Sequence, residues 1–192
     1  MNNVRAIRGL ALTGLASLGL IAMTPAFAES SFQTGTGALT ANARLDFRVI
    51  VPKFISFQVG SAGATIDLVE FDVAAANVGT GVDVARTNGG VVPVSLRGND
   101  GNITLTGTTT GPLTAGPGET ISFTEILSSS SDAGLTAPTL VDGAASAPIT
   151  VTPNVGTRVV SRTANWTFAY DNTNTVGAGT YNGRVTYTAA MP

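Results

Sequence analysis

The sequence predicts an all-β protein built as an antiparallel, immunoglobulin-like β-sandwich. Several segments alternate apolar and polar residues, which is the pattern of a strand that buries one face. Turns rich in glycine and asparagine separate these segments at short intervals, as in sandwich folds, and the chain contains 23 glycines. Beyond residue 28, no segment shows the 3.6-residue period of an amphipathic helix.

Residues 1–28 predict a cleaved export signal. Arg5 and Arg8 form a positively charged start, and an apolar stretch follows over residues 10–23. Residues 26–28 then give the small-x-small pattern of a cleavage site. The apolar stretch is shorter than the roughly 20 residues that span a membrane. We therefore expect a mature chain that passes through the periplasm and is displayed at the cell surface or released, without a membrane span.

Residues 35–51 form the longest alternating segment, with small or apolar residues at odd positions and mostly polar residues at even ones. Fully extended, this segment would reach about 55 Å, whereas a domain of this size has a radius of gyration of about 15 Å. The segment therefore predicts two parts. Residues 29–42 would be an N-terminal extension, and residues 43–192 the sandwich domain. Its first strand would cover residues 43–51, with Leu45, Phe47 and Val49 in the core.

The rest of the chain predicts a series of further strands. Asn88 and the following glycines favour a tight hairpin turn, and residues 108–118 and 128–148 predict loops. The clearest alternation lies over residues 160–170 and 181–191. We expect its aromatic side chains, Trp166, Phe168, Tyr170 and Tyr187, to anchor the core, because aromatic residues bury the most area. The remaining predicted strands cover residues 54–59, 65–73, 82–86, 91–97, 103–107, 121–127 and 149–153.

The composition argues against most enzymatic chemistry. The chain has no histidine and no cysteine, which removes Ser-His and Cys-His nucleophile pairs and zinc sites built on those residues. The net charge is −2 at pH 7, without a basic stripe for nucleic acid. We therefore expect no enzyme, no catalytic residue, no cofactor, no metal site and no nucleic-acid partner.

A few polar groups allow other interpretations. The carboxylates are scattered along the sequence, and Lys53 is the only lysine. Asp100 and Asp171 begin short Asp/Asn-rich stretches that could offer oxygen ligands to calcium. Turn formation by Asp and Asn explains both stretches more simply. The alternating threonines Thr104, Thr106 and Thr108 suggest either an exposed strand face or a ligand-binding one.

Both ends of the mature chain resemble a known family. Residues 178–187, Ala-Gly-Thr-Tyr-Asn-Gly-Arg-Val-Thr-Tyr, resemble the last strand of fimbrial (pilin) subunits assembled by the chaperone–usher route. Gly179 matches a glycine of that family, and Val185 and Tyr187 match the alternating strand that follows it. Residues 32–43, with Gly35 and Gly37, are similar to the alternating extension that follows the family's signal peptide.

The resemblance implies a sandwich that lacks one strand and is completed by donor-strand exchange, in which a neighbour's extension fills the gap. It also implies a homopolymer, with a periplasmic chaperone and an outer-membrane usher as assembly partners. The donated residues would be Gly35, Gly37, Leu39, Ala41 and Ala43. The acceptor groove would lie beside the last strand, at Gly179, Tyr181, Val185, Tyr187 and Met191.

Two functions remain open from the sequence. In the first, the chain is a structural subunit of a fimbria-like extracellular fibre with a role in adhesion or biofilm formation. In the second, it is a monomeric exported module that binds glycans or surfaces. The alternating N-terminal segment would then fold back as an ordinary first strand. The two functions differ in whether the mature chain forms multimers that resist heat and denaturant.

Overall fold

The computed structural model describes residues 29–192. The predicted export signal, residues 1–28, lies outside the described residues. The chain divides into two units, Met1–Ile50 and Val51–Pro192. Every strand of the described residues belongs to the second unit.

The second unit contains ten strands and two short 3₁₀ helices, Ala75–Asn77 and Phe123–Glu125. All strand pairs are antiparallel. The strands are β1 (Ile55–Val59), β2 (Val84–Ala85), β3 (Val92–Gly98), β4 (Ile103–Thr109), β5 (Leu113–Gly116), β6 (Glu119–Ile121), β7 (Ile126–Ser130), β8 (Ile149–Val151), β9 (Val160–Tyr170) and β10 (Val185–Ala190).

Two sheets face each other across one core, and a small hairpin of β5 and β6 lies beside them. The larger sheet has the order β1-β3-β9-β2, and β7 pairs with β9 along its other edge. The smaller sheet has the order β10-β4-β8. This confirms the prediction of an all-β antiparallel sandwich.

The core is formed by alternate residues of β3, β4, β8 and β9. Trp166 is fully buried at its centre, and its indole Nε1 donates a hydrogen bond to Leu135 O at 2.9 Å. Phe168 and Tyr170 are buried as predicted. Tyr187 is only half-buried, and it packs edge-on against Trp166 with the ring centroids 5.2 Å apart. The contact between Trp166 of β9 and Tyr187 of β10 therefore joins the two sheets.

The predicted first strand over residues 43–51 was wrong. Among the described residues, no strand forms before Ile55. Leu45, Phe47 and Val49 are not in the core, and their exposed fractions are 71%, 86% and 85%. Alternation shows that a segment can bury one face, but a strand forms only where a neighbour supplies backbone hydrogen bonds. Residues 43–51 have no such neighbour within the described chain.

Three other predicted strands differ from the structure. Residues 65–73 form no strand. Most of the hydrogen bonds to their backbone come from side chains, with Arg86 and Asn88 donating to Leu68 O, and one comes from the backbone N–H of Thr87 to Glu70 O. Residues 121–127 are interrupted by the 3₁₀ helix Phe123–Glu125. The last strand begins at Val185 rather than at residue 181, because Asn182 pairs with Thr114 instead.

We expect Leu96→Ala to lower the free energy of unfolding by about 2–5 kcal/mol, because Leu96 is fully buried in β3 and its loss leaves a cavity. Leu127→Ala is the matched control, since Leu127 is 41% exposed in β7, and it should cost less than about 1 kcal/mol. Urea unfolding monitored by tryptophan fluorescence measures both. Equal losses for the two variants would contradict the packing described here.

Candidate functional site: an open edge of the sandwich

The strand β10 is bonded along one edge. It pairs with β4 from Val185 opposite Thr109 to Ala190 opposite Thr104. Within residues 29–192, no other strand pairs with β10. The backbone N–H and C=O groups on its other edge are therefore available to a further strand. We call this feature the open edge.

The inward-facing side chains of β10 are also incompletely covered. In the adjacent strand β4, Ile103 and Leu105 are fully buried. The inward residues of β10 and the residue that follows it stay half-buried, although Tyr187, Ala189 and Met191 pack against the same core. A row of apolar side chains therefore lies beside the open edge: Val185, Tyr187, Ala189 and Met191.

The facing sheet has a free edge on the same side of the sandwich. The strand β1 pairs with β3, and the described residues contain no strand on its other edge. Near one end of the sandwich, Met191 after β10 and Phe54 before β1 both lie close to Gly98. A Cβ atom on Gly98 would lie 3.2 Å from Met191 Sδ and 3.4 Å from Phe54 O. The facing sheet and the segment after β1 contribute further half-buried apolar side chains, namely Phe57, Val59, Val69 and Phe71.

Burial and charge shift several pKa values around this site. Burial of the Tyr187 side chain against the core raises its pKa from 10.0 to about 12. The pKa of Tyr170 is raised first by burial and then by the nearby Glu125 carboxylate. The Tyr170 ring lies 6.5 Å from Phe71, centroid to centroid. Burial therefore favours the uncharged form of both phenols.

The chain enters β1 along a path held by the turn between β3 and β4. Asn99 Nδ2 donates to Pro52 O at 2.8 Å, and Asn99 Oδ1 accepts from Phe54 N at 2.9 Å. Between them, Lys53 Nζ lies 3.2 Å from the Asp100 carboxylate and also donates to Pro192 O. The pKa of Asp100 is lowered most by Lys53 and next by Arg158. Residues 52–54 are thus fixed beside the open edge.

The predicted acceptor residues fall into two groups. Val185, Tyr187 and Met191 lie together beside the open edge. Gly179 and Tyr181 instead support the β5–β6 hairpin. A Cβ atom on Gly179 would lie 2.8 Å from the Ala115 Cβ, and the Tyr181 hydroxyl donates to Glu119 Oε2 at 3.3 Å. The prediction missed Ala189 and the residues of the facing sheet, although the alternation of residues 54–59 already indicated an apolar face there.

The predicted donor residues all lie in the segment 29–50, whose residues are exposed without exception. Gly35, Gly37, Leu39, Ala41 and Ala43 form no strand in the described chain. The larger apolar residues that follow them are equally uncovered. Leu45, Phe47 and Val49 were assigned to the core by the sequence, so the prediction missed them as candidates for an intermolecular contact.

Other kinds of site find little support among the described residues. No group of three or more His, Cys, Asp or Glu residues there could hold a metal ion. Asp100 is engaged by Lys53 and Arg158, and Asp171 Oδ1 accepts from Thr173 N at 2.9 Å within its own turn. A shallow cavity of about 260 Å³ on the outer face of the larger sheet has no aromatic lining.

No protein-family model matches the chain, and no curated protein matches it with significant similarity. None of the helices in residues 29–192 has the length and hydrophobicity needed to cross a membrane. The open edge is therefore the feature on which a functional interpretation can be built.

We expect alkaline pH to destabilise the sandwich through Tyr187. The pKa of the Tyr187 phenol is about 12 in the folded chain, against the ordinary value of 10.0 expected in the unfolded chain. Its contribution to the free energy of unfolding is therefore fully present below pH 10 and is lost as pH rises through 12. The loss attributable to Tyr187 should be roughly 3 kcal/mol. Urea unfolding at a series of alkaline pH values measures it. Tyr187→Phe should remove that part of the pH dependence, and an unchanged pH profile in this variant would contradict the assignment.

Proposed function

We propose that this chain is a structural subunit of an extracellular fibre that polymerises by strand donation. The N-terminal segment of one subunit adds as a strand to the open edge of the next. The observation that carries the proposal is the open edge itself. It combines unpaired backbone groups on β10 with a half-buried apolar row, which are the two features that β-strand addition uses for affinity and specificity.

The same chain also carries a segment suited to be donated. Residues 35–51 alternate with a period of two, lie exposed and form no strand in the described chain. Donor and acceptor are different surfaces, so each contact is heterologous. Repetition of a heterologous contact that does not close on itself gives a filament rather than a ring. Repeated contacts between this donor and this acceptor would therefore assemble a fibre.

The open edge has few of the features that prevent strands from associating. Natural proteins protect exposed edges with lysine, proline, bulges or inward-pointing charges. The sequence of β10, Val-Thr-Tyr-Thr-Ala-Ala, contains none of these residues. Thr186 and Thr188 face outward and carry no charge. An unprotected edge of this kind fits a strand whose pairing is part of its function.

An exported subunit of this design needs protection before assembly. We therefore propose a periplasmic chaperone and an outer-membrane usher as partners, with the fibre displayed at the cell surface and serving adhesion or biofilm formation. This function is structural and not enzymatic. The resemblance of both chain ends to fimbrial subunits supports it, as does the incomplete pairing of β10.

One observation favours a second candidate, a glycan- or surface-binding module. The outer face of the smaller sheet carries cross-strand threonine pairs, Thr106 opposite Thr188 and Thr108 opposite Thr186. Such a face offers hydroxyl groups for contact with a polar surface. Under this function the mature chain stays a monomer at all concentrations and binds glycans saturably.

Deletion of residues 29–50 tests the proposed function. The mature chain should form multimers that resist heat and denaturant, whereas the deletion variant should remain a soluble monomer, because it keeps the acceptor and loses the donor. Size exclusion with light scattering, and electron microscopy of sheared cell-surface fractions, measure the two outcomes.

A synthetic peptide of residues 35–51 should bind the deletion variant and raise its Tm, because it supplies the absent strand. A peptide of the same composition with the alternation scrambled is the control. The proposed function is refuted if the mature chain stays monomeric, or if the deletion variant assembles into fibres as readily as the mature chain.

A further inference from the structure

We infer that the anchoring part of the donated strand is residues 45–51, with Leu45, Phe47, Val49 and Val51 entering the open edge of a second copy, and that residues 35–43 are not the anchor. This inference rests on the proposed function and makes it specific. It assigns the contact to a row that includes Leu45, Phe47 and Val49, which the sequence alone placed in the core.

Residues 45–51 leave more apolar surface in water than residues 35–43 do. Leu45, Phe47, Val49 and Val51 are 71%, 86%, 85% and 72% exposed. The apolar positions of residues 35–43 are glycines, alanines and one leucine, Leu39. Either row offers the same backbone hydrogen bonds to the open edge, so the apolar area removed from water distinguishes the two rows. The later row has far more such area to bury, with a phenylalanine among its members.

The apolar row of residues 45–51 matches the half-buried row beside the open edge in spacing and in length. The apolar side chains of residues 45–51 recur at every second position, as do the half-buried residues Val185, Tyr187, Ala189 and Met191 of the acceptor. Extended, residues 45–51 span about 23 Å, and the residues of β10 span about 20 Å. The donor row therefore fits the open edge along its whole length without a bulge.

The charged residues of the donated segment fix its register. Arg44, Asp46 and Arg48 alternate with the apolar row, so they point to solvent whenever that row is buried. A slip by one residue would bury these charges, which fixes the register strongly. The outward residues of β10, Thr186 and Thr188, are uncharged and offer no repulsion. Residues 36–42 carry no charge, so a slip there would cost much less.

The occupant of the open edge is a second copy of this chain. Pro52 ends the apolar row and has no N–H to continue a strand ladder. Asn99 then holds Pro52 and Phe54 in place at 2.8 and 2.9 Å. Leu45, Phe47 and Val49 are themselves exposed. The strand and the edge that suits it are therefore both unfilled within one chain, and each can be completed by another copy.

Matched aspartate variants of the full mature chain test the assignment. Phe47→Asp is compared with Phe32→Asp, and Leu45→Asp with Leu39→Asp. All four residues are exposed in the isolated chain, with Phe32 at 88% and Leu39 at 52%, so none of the variants should change its Tm. Phe47→Asp and Leu45→Asp should reduce the yield of denaturant-resistant multimers by about tenfold or more, because each would bury an unpaired charge. Phe32→Asp and Leu39→Asp should stay within about twofold of the unmodified chain.

Trypsin gives a second readout on the unmodified chain. Arg44 immediately precedes the proposed anchor and Arg48 lies within it, and both should be cleaved readily in monomers and protected in multimers. Arg158, which is exposed in the domain, is a reference site that should be cleaved alike in both. Protection at Arg44 and Arg48 that does not depend on protein concentration would mean that the segment fills its own open edge, and would overturn the second copy as occupant.

The possible failures are distinguishable. If the unmodified chain forms no multimers, the proposed function fails and this inference fails with it. If multimers form and are lost in Leu39→Asp but kept in Phe47→Asp and Leu45→Asp, strand donation stands and the anchor lies in residues 35–43. If multimers survive all four substitutions, neither row is the anchor and the inference is overturned.

Discussion

The requirement that every strand edge find a hydrogen-bonding partner governs this structure. The strand β9 meets it on both edges, with β3 along one edge and β7 along the other. Trp166 lies where these two pairings meet, opposite both Val92 and Ser130. Its side chain is buried against Tyr187 of the other sheet. Pairing and packing therefore converge on one residue, which holds both sheets in register.

The same requirement is unmet at several edges within the described residues, among them the free edge of β1, and two such places bear on the proposed fibre. The strand β10 is paired along one edge within the described residues, and residues 43–51 are paired with no strand there. The chain has no cysteine to supply a disulfide, and its exposed ion pairs, such as Arg44 with Glu29 at 2.6 Å, contribute little. The completion of unpaired edges is therefore the main stabilisation still available to the molecule. The proposed fibre would use it between subunits.

Much of the fold could be predicted from local pattern. The alternation of residues 160–170 gave the strand β9 with its buried aromatic face, and residues 91–97 gave β3 to within one residue at either end. The candidate site was only partly predictable. Val185, Tyr187 and Met191 do lie beside the open edge, but Gly179 and Tyr181 contact the β5–β6 hairpin instead. Contacts between segments far apart in sequence decided their roles, and no local pattern records such contacts.

By itself, the sequence determined the all-β class and which face of each alternating segment is apolar, because side chains on a strand change sides at every residue. It did not determine which segments find a partner. Residues 45–51 and 54–59 are both alternating and apolar on one face, yet only the second pairs, as β1 against β3. Tertiary structure made that choice, because a strand is completed by hydrogen bonds to a distant part of the chain, or to another chain, and alternation alone cannot supply them.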